Sequence, residues 1–473
     1  MIHTLEWAAA VLGYLISLLA IPHVLLAGKR PAATLAWVWS ILLFPYAGAI
    51  VYFMIGTERM KRRRLRRIPP KGLPQHGEST RAKTQIDAAP PTVRALFTGL
   101  ANINRIPLST ADHADLLIDA SGFYPRLREA IRTARDHIHI EFFIWRDDSQ
   151  GSEFVALLAE AARRGVKVRL LLDQIGCLGV GRRFFQPIVD AGGMFSWFYS
   201  LPLLRHWRFV NMRNHRKLQI IDGELAFVGG MNIGEEYAKP RGNPEYWRDA
   251  QIELRGHVVT HLQEVFATDW LFATAERIDA LEYYPSVERA GGSLCQVIAG
   301  GPDLPREPIP KSLVAVLNAA QSRVWIATGY FVPDILVLAD LQLCAARGVD
   351  VRLLISEKSD HPLLVEVGRS YYEELLRFGV RVFEYSEGIN HAKTTLLDDD
   401  WLMIGSANSD NRSMRLNFEL NVLVQSPAVA GELEVMLRED FAVSREITLV
   451  DFSKRPLRRR LLEAALRPLA PLL

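Results

Sequence analysis

Apolar and polar positions divide the chain into an uncharged start, a proline-rich polar stretch, and a long region in which apolar runs alternate between two periods. Trp7–Gly28 is 22 residues without a charge and Leu35–Ile55 another 21, each near the ~20 residues that a hydrocarbon core requires of a helix. They predict a two-helix transmembrane hairpin, with Pro22 and Pro45 as tolerable kinks. A cleaved signal peptide fits poorly, because no Lys or Arg precedes the first run and a second follows at once. Residues 68–92 hold five prolines among polar residues and read as a tether. Beyond them, an amphipathic stretch (Tyr124–Ala134), a strand-like run (Ile138–Trp145), a helical segment (Glu153–Arg164) and a second strand (Gly165–Leu172) follow in order. The order returns at Val324–Val332, Leu336–Arg347 and Gly348–Ile355. The wording returns too: AARRGVKVRLLL and AARGVDVRLLI lie 183 residues apart, glycine to glycine. Strand–helix–strand order indicates βαβ units in a sheet covered by helices. The expected fold class is α/β: the hairpin (1–58), a basic collar and linker (59–92), and two tandem lobes (93–286 and 287–473) related by a pseudo-two-fold axis.

Composition adds little until it is placed along the chain. With 49% hydrophobic and 23% charged residues, wholesale disorder is excluded. The three cysteines, Cys177, Cys295 and Cys344, are too few and too scattered for a disulfide scaffold. The net charge of +3 is a sum of unlike parts. Residues 59–67 hold seven Lys or Arg and 454–460 hold five, neither run with an acid, which leaves a body of −9. The first run, after the second span, places everything beyond residue 58 in the cytoplasm by the positive-inside rule. It is a topology signal and a candidate contact for anionic lipid. The basic then leucine-rich segment Lys454–Leu473 reads equally as an interfacial helix or as one packed on the body.

The duplication carries candidate chemistry. His215-Arg-Lys217 is followed after four residues by Asp222, and after six more by Gly229-Gly230-Met-Asn232. His391-Ala-Lys393, Asp398 and Gly405-Ser406-Ala-Asn408 repeat that spacing. On strands, positions i and i+2 share a face, so His215 would project with Lys217, His391 with Lys393, and Ser406 with Asn408. An imidazole, an ammonium and an amide from each lobe make a phosphate-sized constellation. Asp222-Gly223 is a hairpin signal, and both aspartates, Asp222 and Asp398, fit a turn-shaping role better than chemistry. His257-Val-Val-Thr-His261 lacks the glutamate of a zinc-protease helix and reads as an ordinary helix face, and Asp398–Asp400 as a turn.

These paired motifs resemble the HKD motifs of the phospholipase D superfamily. RPAATLAWVWSILLFPYAGAIVYFMIG, NHRKLQIIDGELAFVGGMNIG, YWRDAQIELRG, GYFVPD and NRSMRLNFE are similar to the bacterial cardiolipin synthases within it. The resemblance spans essentially the whole chain. It implies two displacements at a phosphodiester through a phosphohistidine, with His215 as nucleophile and His391 as acid/base, although the near symmetry of the motifs does not itself decide the order. Lys217, Lys393, Asn232, Asn408 and Ser406 would stabilise charge on the phosphate, and Asp222 and Asp398 count with the motif's catalytic set. Asp249 and Glu419 correspond to the orienting acids and should raise the histidine pKa values. No metal or cofactor is called for, since lysines supply the positive charge. Donor and acceptor would both be phosphatidylglycerol, with glycerol leaving, at a bacterial inner membrane. A phosphatidyl hydrolase or headgroup-exchange enzyme is the alternative, and a nuclease a weaker one, because the acidic body disfavours nucleic acid. Gly230 departs from the pattern, standing where the superfamily often has Ser, which puts that hydroxyl's contribution in doubt. Phe195–Asn211 mixes aromatics with Arg205 and Arg208, as a loop packed over the site or as a bilayer contact.

Overall fold

The computed structural model describes residues 11, 13–15, 17–27, 31–56, 77, 79–199, 212–285, 292–304 and 306–472. The chain forms two compact units: residues 1–68 with 201–211, and the remainder. The basic collar 59–67, the first part of the tether (68–76 and 78) and Arg205 and Arg208 lie outside the described residues.

In the first unit the second apolar run is not one long helix. It forms α1 (Pro31–Leu43) and α2 (Pro45–Val51), then a π turn from Tyr52 to Gly56. Phe44 leaves helical geometry (φ −130°, ψ 72°) just before Pro45, whose ring cannot continue the preceding helix. A Cβ at Gly48 would lie 2.2 Å from the Ser40 carbonyl oxygen, so the chain turns sharply here. At 13 and 7 residues, the helices reach only roughly 20 and 10 Å. Among the described residues no helix is long and apolar enough to cross a membrane. The unit's small core joins Ala20, Val24, Ile41 and Tyr52, with His23 Nδ1 2.7 Å from the Tyr52 hydroxyl.

The second unit contains the duplicated lobes. Its strands, in chain order, are β1 (Ser109–Ala111), β2 (His113–Ile118), β3 (His137–Phe142), β4 (Lys167–Leu172), β5 (Met194–Trp197), β6 (Leu218–Ile221), β7 (Leu225–Gly229), β8 (Trp247–Arg248), β9 (Ala250–Arg255), β10 (Ser293–Gly300), β11 (Arg323–Thr328), β12 (Phe331–Val332), β13 (Asp350–Ser356), β14 (Arg381–Tyr385), β15 (Ile389–Asn390), β16 (Thr394–Leu397), β17 (Trp401–Gly405), β18 (Ser409–Asp410), β19 (Glu419–Gln425) and β20 (Ser444–Ile447). One sheet runs β2-β9-β7-β6-β3-β4-β5, and the other β1-β10-β19-β17-β16-β11-β13-β14-β20. The order β2-β9-β7-β6-β3-β4-β5 maps strand for strand onto β10-β19-β17-β16-β11-β13-β14. In both, the last three strands are parallel and the rest antiparallel. The repeated segments are the parallel β3–β4 and β11–β13 units, linked by α4 (Ser149–Arg163) and α7 (Ile335–Ala346), while α3 (Asp119–Thr133) precedes β3.

The inner faces of both sheets share one core. Leu218, Val228 and Ile252 meet it from one side and Leu420, Val422 and Ile404 from the other. Helices α5 (Val258–Thr274) and α9 (Pro427–Ala442) fill it. Between α7 and α9 lies α8 (Pro362–Arg369), and α10 (Leu457–Leu466) comes near the chain's end.

The expected boundary at residue 93 does not coincide with the packing. Residues 80–88 and 91–104 are helical, and Ala82, Ile86, Leu96, Phe97 and Leu100 join the core of the second lobe with Ile309 and Leu313 of α6 (Pro308–Ala319). Next, β1 pairs with β10 of the second sheet. Apolar residues at helical spacing within the tether and after it need a partner, and the second lobe supplies one.

Candidate active site

Both His-x-Lys pairs lie in extended chain just ahead of β6 and β16 rather than within them. A short interlobe bridge comes first in each case. Asn214 bridges Phe418, and β15 pairs with β8. The bridges pin the histidine backbones across the lobes. The His215 N–H donates to the Phe418 carbonyl (2.9 Å) and the His391 N–H to that of Arg248 (2.7 Å).

The side chains cross as well. Nδ1 of His215 lies 3.0 Å from both carboxylate oxygens of Glu419, and Nδ1 of His391 lies 2.7 Å from Asp249 Oδ2. Each orienting acid therefore comes from the other lobe, although along the chain each follows the motif of its own. Each imidazole also packs on an aromatic ring: His215 on Phe143 (4.8 Å between centroids) and His391 on Trp247 (4.9 Å). With Nδ1 held, Nε2 is the nitrogen left for chemistry.

The lysines curl back beneath. Lys217 Nζ donates to the His215 carbonyl at 2.7 Å, and Lys393 Nζ to that of His391. Both are buried. Burial is the main cause that lowers Lys393 to about 8 and Lys217 well below its ordinary value. Glu419 does pull His215 upward, as a carboxylate partner should, but the net shift is downward. Burial outweighs Glu419 and, with Lys217 and Lys393 adding to it, takes His215 down to about 4. Burial, Lys393, Lys217 and His215 together hold His391 well below its usual range. The two histidines and two lysines thus act on one another within one site.

The acids are not equivalent. Burial pushes Asp249 up to about 7, against the pull of Lys393 and the Ala250 N–H. Burial also works to raise Glu419, but His215, Lys217 and the Ser406 hydroxyl outweigh it and keep its pKa low. The hydrogen bonding differs too, at Gly230 and Ser406. Ser406 Oγ accepts the Leu420 N–H (3.0 Å) and donates to Glu419. In the other half, Asp249 Oδ1 itself accepts the corresponding Ala250 N–H (2.8 Å). A Cβ at residue 230 would stand 2.2 Å from that oxygen. The missing hydroxyl is replaced by the carboxylate.

Other expected groups lie elsewhere or are already engaged. Asp222 and Asp398 are at the far ends of β6 and β16, with φ of 53° and 50°. Asp222 accepts the N–H groups of Arg135, Asp136 and His137, and Asp398 those of Gln321, Ser322 and Arg323. Counted with the catalytic set by their motif, they are instead loop clamps. The amide of Asn232 is spent on the Ile144 N–H (3.0 Å) and the Tyr237 hydroxyl (2.8 Å). Asn408 is buried, with no hydrogen-bond partner for its Oδ1 among the described residues. His257 and His261 sit ring to ring at the start of α5, where His261 meets Glu264. Of the aromatic stretch, Phe195 stacks on Phe185 and Phe198 packs against Phe418.

The asparagine before each histidine was not singled out from the sequence, although NHRK and NHAK display it. Asn214 Oδ1 accepts the Arg216 N–H (3.2 Å), while its Nδ2 donates to Glu141 (3.2 Å) and its N–H to Asp173 (2.9 Å). Asn390 Oδ1 accepts the Ala392 N–H (3.3 Å), and its Nδ2 donates to the Thr328 and Leu354 carbonyls. Each fixes the turn that aims its imidazole. Tyr237, whose hydroxyl is 3.4 Å from His391 Nδ1, was missed as well, as nothing in its spacing marks it.

The chain resembles proteins already described. Residues 127–270 and 313–441 match a family described as "Cardiolipin synthase, PLD-like domain", and residues 15–56 one described as phospholipase D-nuclease N-terminal. "Cardiolipin synthase A" of Pseudomonas fluorescens is 36% identical over 94% of both chains. "Cardiolipin synthase" of Geobacillus thermodenitrificans is 34% identical over 99% of this chain and 95% of its own. Among solved structures, the phosphatidylserine synthase of Haemophilus influenzae shares the fold, with a TM-score of 0.61 at 15% identity over 80% of this chain and 100% of that one.

Proposed function

The chain belongs to the bacterial cardiolipin synthases of the phospholipase D superfamily, and from that premise we propose that it moves a phosphatidyl group from one phosphatidylglycerol to the headgroup glycerol of a second. Relatedness over nearly the full length carries this choice of reaction. The crossed histidine–carboxylate pairs support the mechanism.

His215 is the nucleophile in this reading. Glu419, kept ionised, accepts the proton on His215 Nδ1, and the depressed histidine pKa leaves the Nε2 lone pair free at neutral pH. Nε2 attacks phosphorus as the bond to the headgroup glycerol oxygen breaks, and His391 Nε2 gives that oxygen its proton. In the second step His391 takes the proton of the acceptor hydroxyl, whose oxygen attacks phosphorus and releases His215. In-line displacement needs the two imidazoles on opposite sides of the phosphorus, and their origin in different lobes supports that arrangement. The pair formed by His391 and Asp249, whose pKa is raised to about 7, is suited to hold the transferable proton. An anionic phosphodiester between Lys217 and Lys393 offsets their mutual repulsion and favours an imidazolium at His391.

We read the first unit as the membrane anchor. Its apolar stretches leave Leu19, Leu26, Trp39, Leu43 and Phe44 exposed, and hydrocarbon is the surrounding that suits them. The inner bacterial membrane, with the lobes on the cytoplasmic side, is the location this implies.

The test is full-length protein with phosphatidylglycerol vesicles in chelator. Cardiolipin and glycerol are the expected products, and phosphatidic acid alone would overturn the reading. A phosphoenzyme that still forms in His215→Ala would reverse the order of the histidines.

A further inference from the structure

Helix α10 is inside out. Charged groups hold it to the body: Arg459 donates to Glu366 of α8 (3.3 Å), while Arg455, just ahead of α10, donates to Glu463 within the helix (2.9 Å) and to Glu373 (3.4 Å) beyond α8. Glu463, the helix's one acid, is buried at 1% exposure. Three of its four leucines point the other way, with Leu457 at 68%, Leu461 at 61% and Leu462 at 50% exposed, while Leu466 at the last turn packs on the core. At 3.6 residues per turn, Leu457, Leu461, Ala464 and Ala465 form one outward stripe, with Arg458 and Arg460 on its two flanks. A helix that only needed to pack on the body would carry the opposite pattern.

We propose that this outward face of α10 docks on the surface of an anionic bilayer, the leucines entering the headgroup boundary while Arg458 and Arg460 meet lipid phosphates. An apolar stripe flanked by arginines with no exposed acid fits that partner on both counts. A second copy fits less well. Antiparallel pairing of two such faces sets arginine against arginine with no acid to answer them. The helix beneath it leads back to the candidate site. The chain enters α8 from Asp360, which accepts the Tyr330 hydroxyl (2.6 Å) and whose charge acts on His391. The face would hold the approach to that site against the surface that carries its substrate. That consequence rests on the phosphatidylglycerol reading; the docking itself does not.

The native cysteines are all buried, so a thiol-directed fluorophore will report on an introduced cysteine. Full-length Leu461→Cys and, as reference, Leu281→Cys in the first lobe are labelled and reconstituted with phosphatidylglycerol-containing or phosphatidylcholine-only vesicles carrying spin-labelled lipid. We expect a blue shift and quenching at residue 461 that exceed those at residue 281 and grow with phosphatidylglycerol. Equal signals at both positions, or no dependence on the anionic lipid, would overturn the proposal. So would a shift that follows protein density rather than lipid, which would assign the face to a second copy. As a second measurement, Leu457→Ser/Leu461→Ser should lower turnover on vesicles by roughly tenfold or more, the loss expected when a leucine no longer buries, and leave turnover in detergent micelles unchanged. Loss in both would count against docking. Absence of turnover in the parent protein would refute the catalytic reading and leave the quenching result standing.

Discussion

Gly230→Ala tests whether Asp249 is held where His391 needs it. The new Cβ would fall 2.2 Å from Asp249 Oδ1, 2.7 Å from Oδ2 and 2.8 Å from Cγ. Ordinary contact begins near 3.4 Å, so the carboxylate must retreat by about 1 Å or more. It has little room to do so gently. Asp249 is fully buried, Oδ1 is tied to the Ala250 N–H, and the Asp249 N–H is itself held by Asp119 (3.1 Å). A retreat of that size takes the 2.7 Å bond to His391 beyond the ~3.2 Å limit of a good hydrogen bond. A hydrogen bond to a charged group contributes about 1.5–3 kcal/mol. If that is lost where the proton is transferred, kcat falls by roughly 10- to 100-fold. Ser406→Ala, on the other side, removes one hydroxyl from Glu419 without a clash and should cost about tenfold or less. The assay is turnover of phosphatidylglycerol by both variants, with folding checked by thermal denaturation. Gly230→Ala at parental kcat, or Ser406→Ala with the larger loss, would refute the reasoning.

Three further outcomes are expected. Because Lys393 loses its proton as pH rises through about 8, kcat/KM, which reports the free enzyme, should fall above that pH; Lys393→Arg should move the fall upward, and an unmoved limb would remove Lys393 as its source. Glu141, raised to about 8 by burial and then by Asp269, keeps a proton when folded that it releases on unfolding above ~4.3. Stability should therefore decline as pH rises across that window, and Glu141→Gln should flatten the decline in a melting-temperature series. Asp222→Ala strips a clamp from three backbone N–H groups and should cost about 1–3 kcal/mol of stability, while the folded fraction keeps its kcat; an active-site role would reverse that pattern.

Period and repetition made much of the fold readable. The strand–helix–strand wording appears twice because β3–α4–β4 and β11–α7–β13 each bury an apolar face under the same constraint. The loop clamps at Asp222 and Asp398 were readable as turns for a similar reason, since a residue at positive φ followed by a strand has few chemical choices. The helical break at Phe44–Pro45 was only half legible. The proline was visible, but the sharp turn depends on Gly48 meeting Ser40, a contact between positions that spacing along a helix would keep apart. The segment ahead of β2 was misassigned because β1, Ser-Thr-Ala, carries no alternation that could name its sheet.

The crossing of the acids shows why a site can be named from sequence before its wiring can. Spacing says that Asp249 follows one motif and Glu419 the other, but not which histidine each serves. Register decides that. Asp249 is one residue past β8, which pairs with β15 just ahead of His391, and Glu419 is one residue past the Phe418 that bridges Asn214 just ahead of His215. Neither lobe therefore contains a complete histidine–carboxylate pair. A lobe expressed alone would present an imidazole without its acid and an acid without its imidazole. The duplication yields one site from two halves, and the two halves differ in hydrogen bonding where Gly230 stands beside Asp249 and Ser406 beside Glu419.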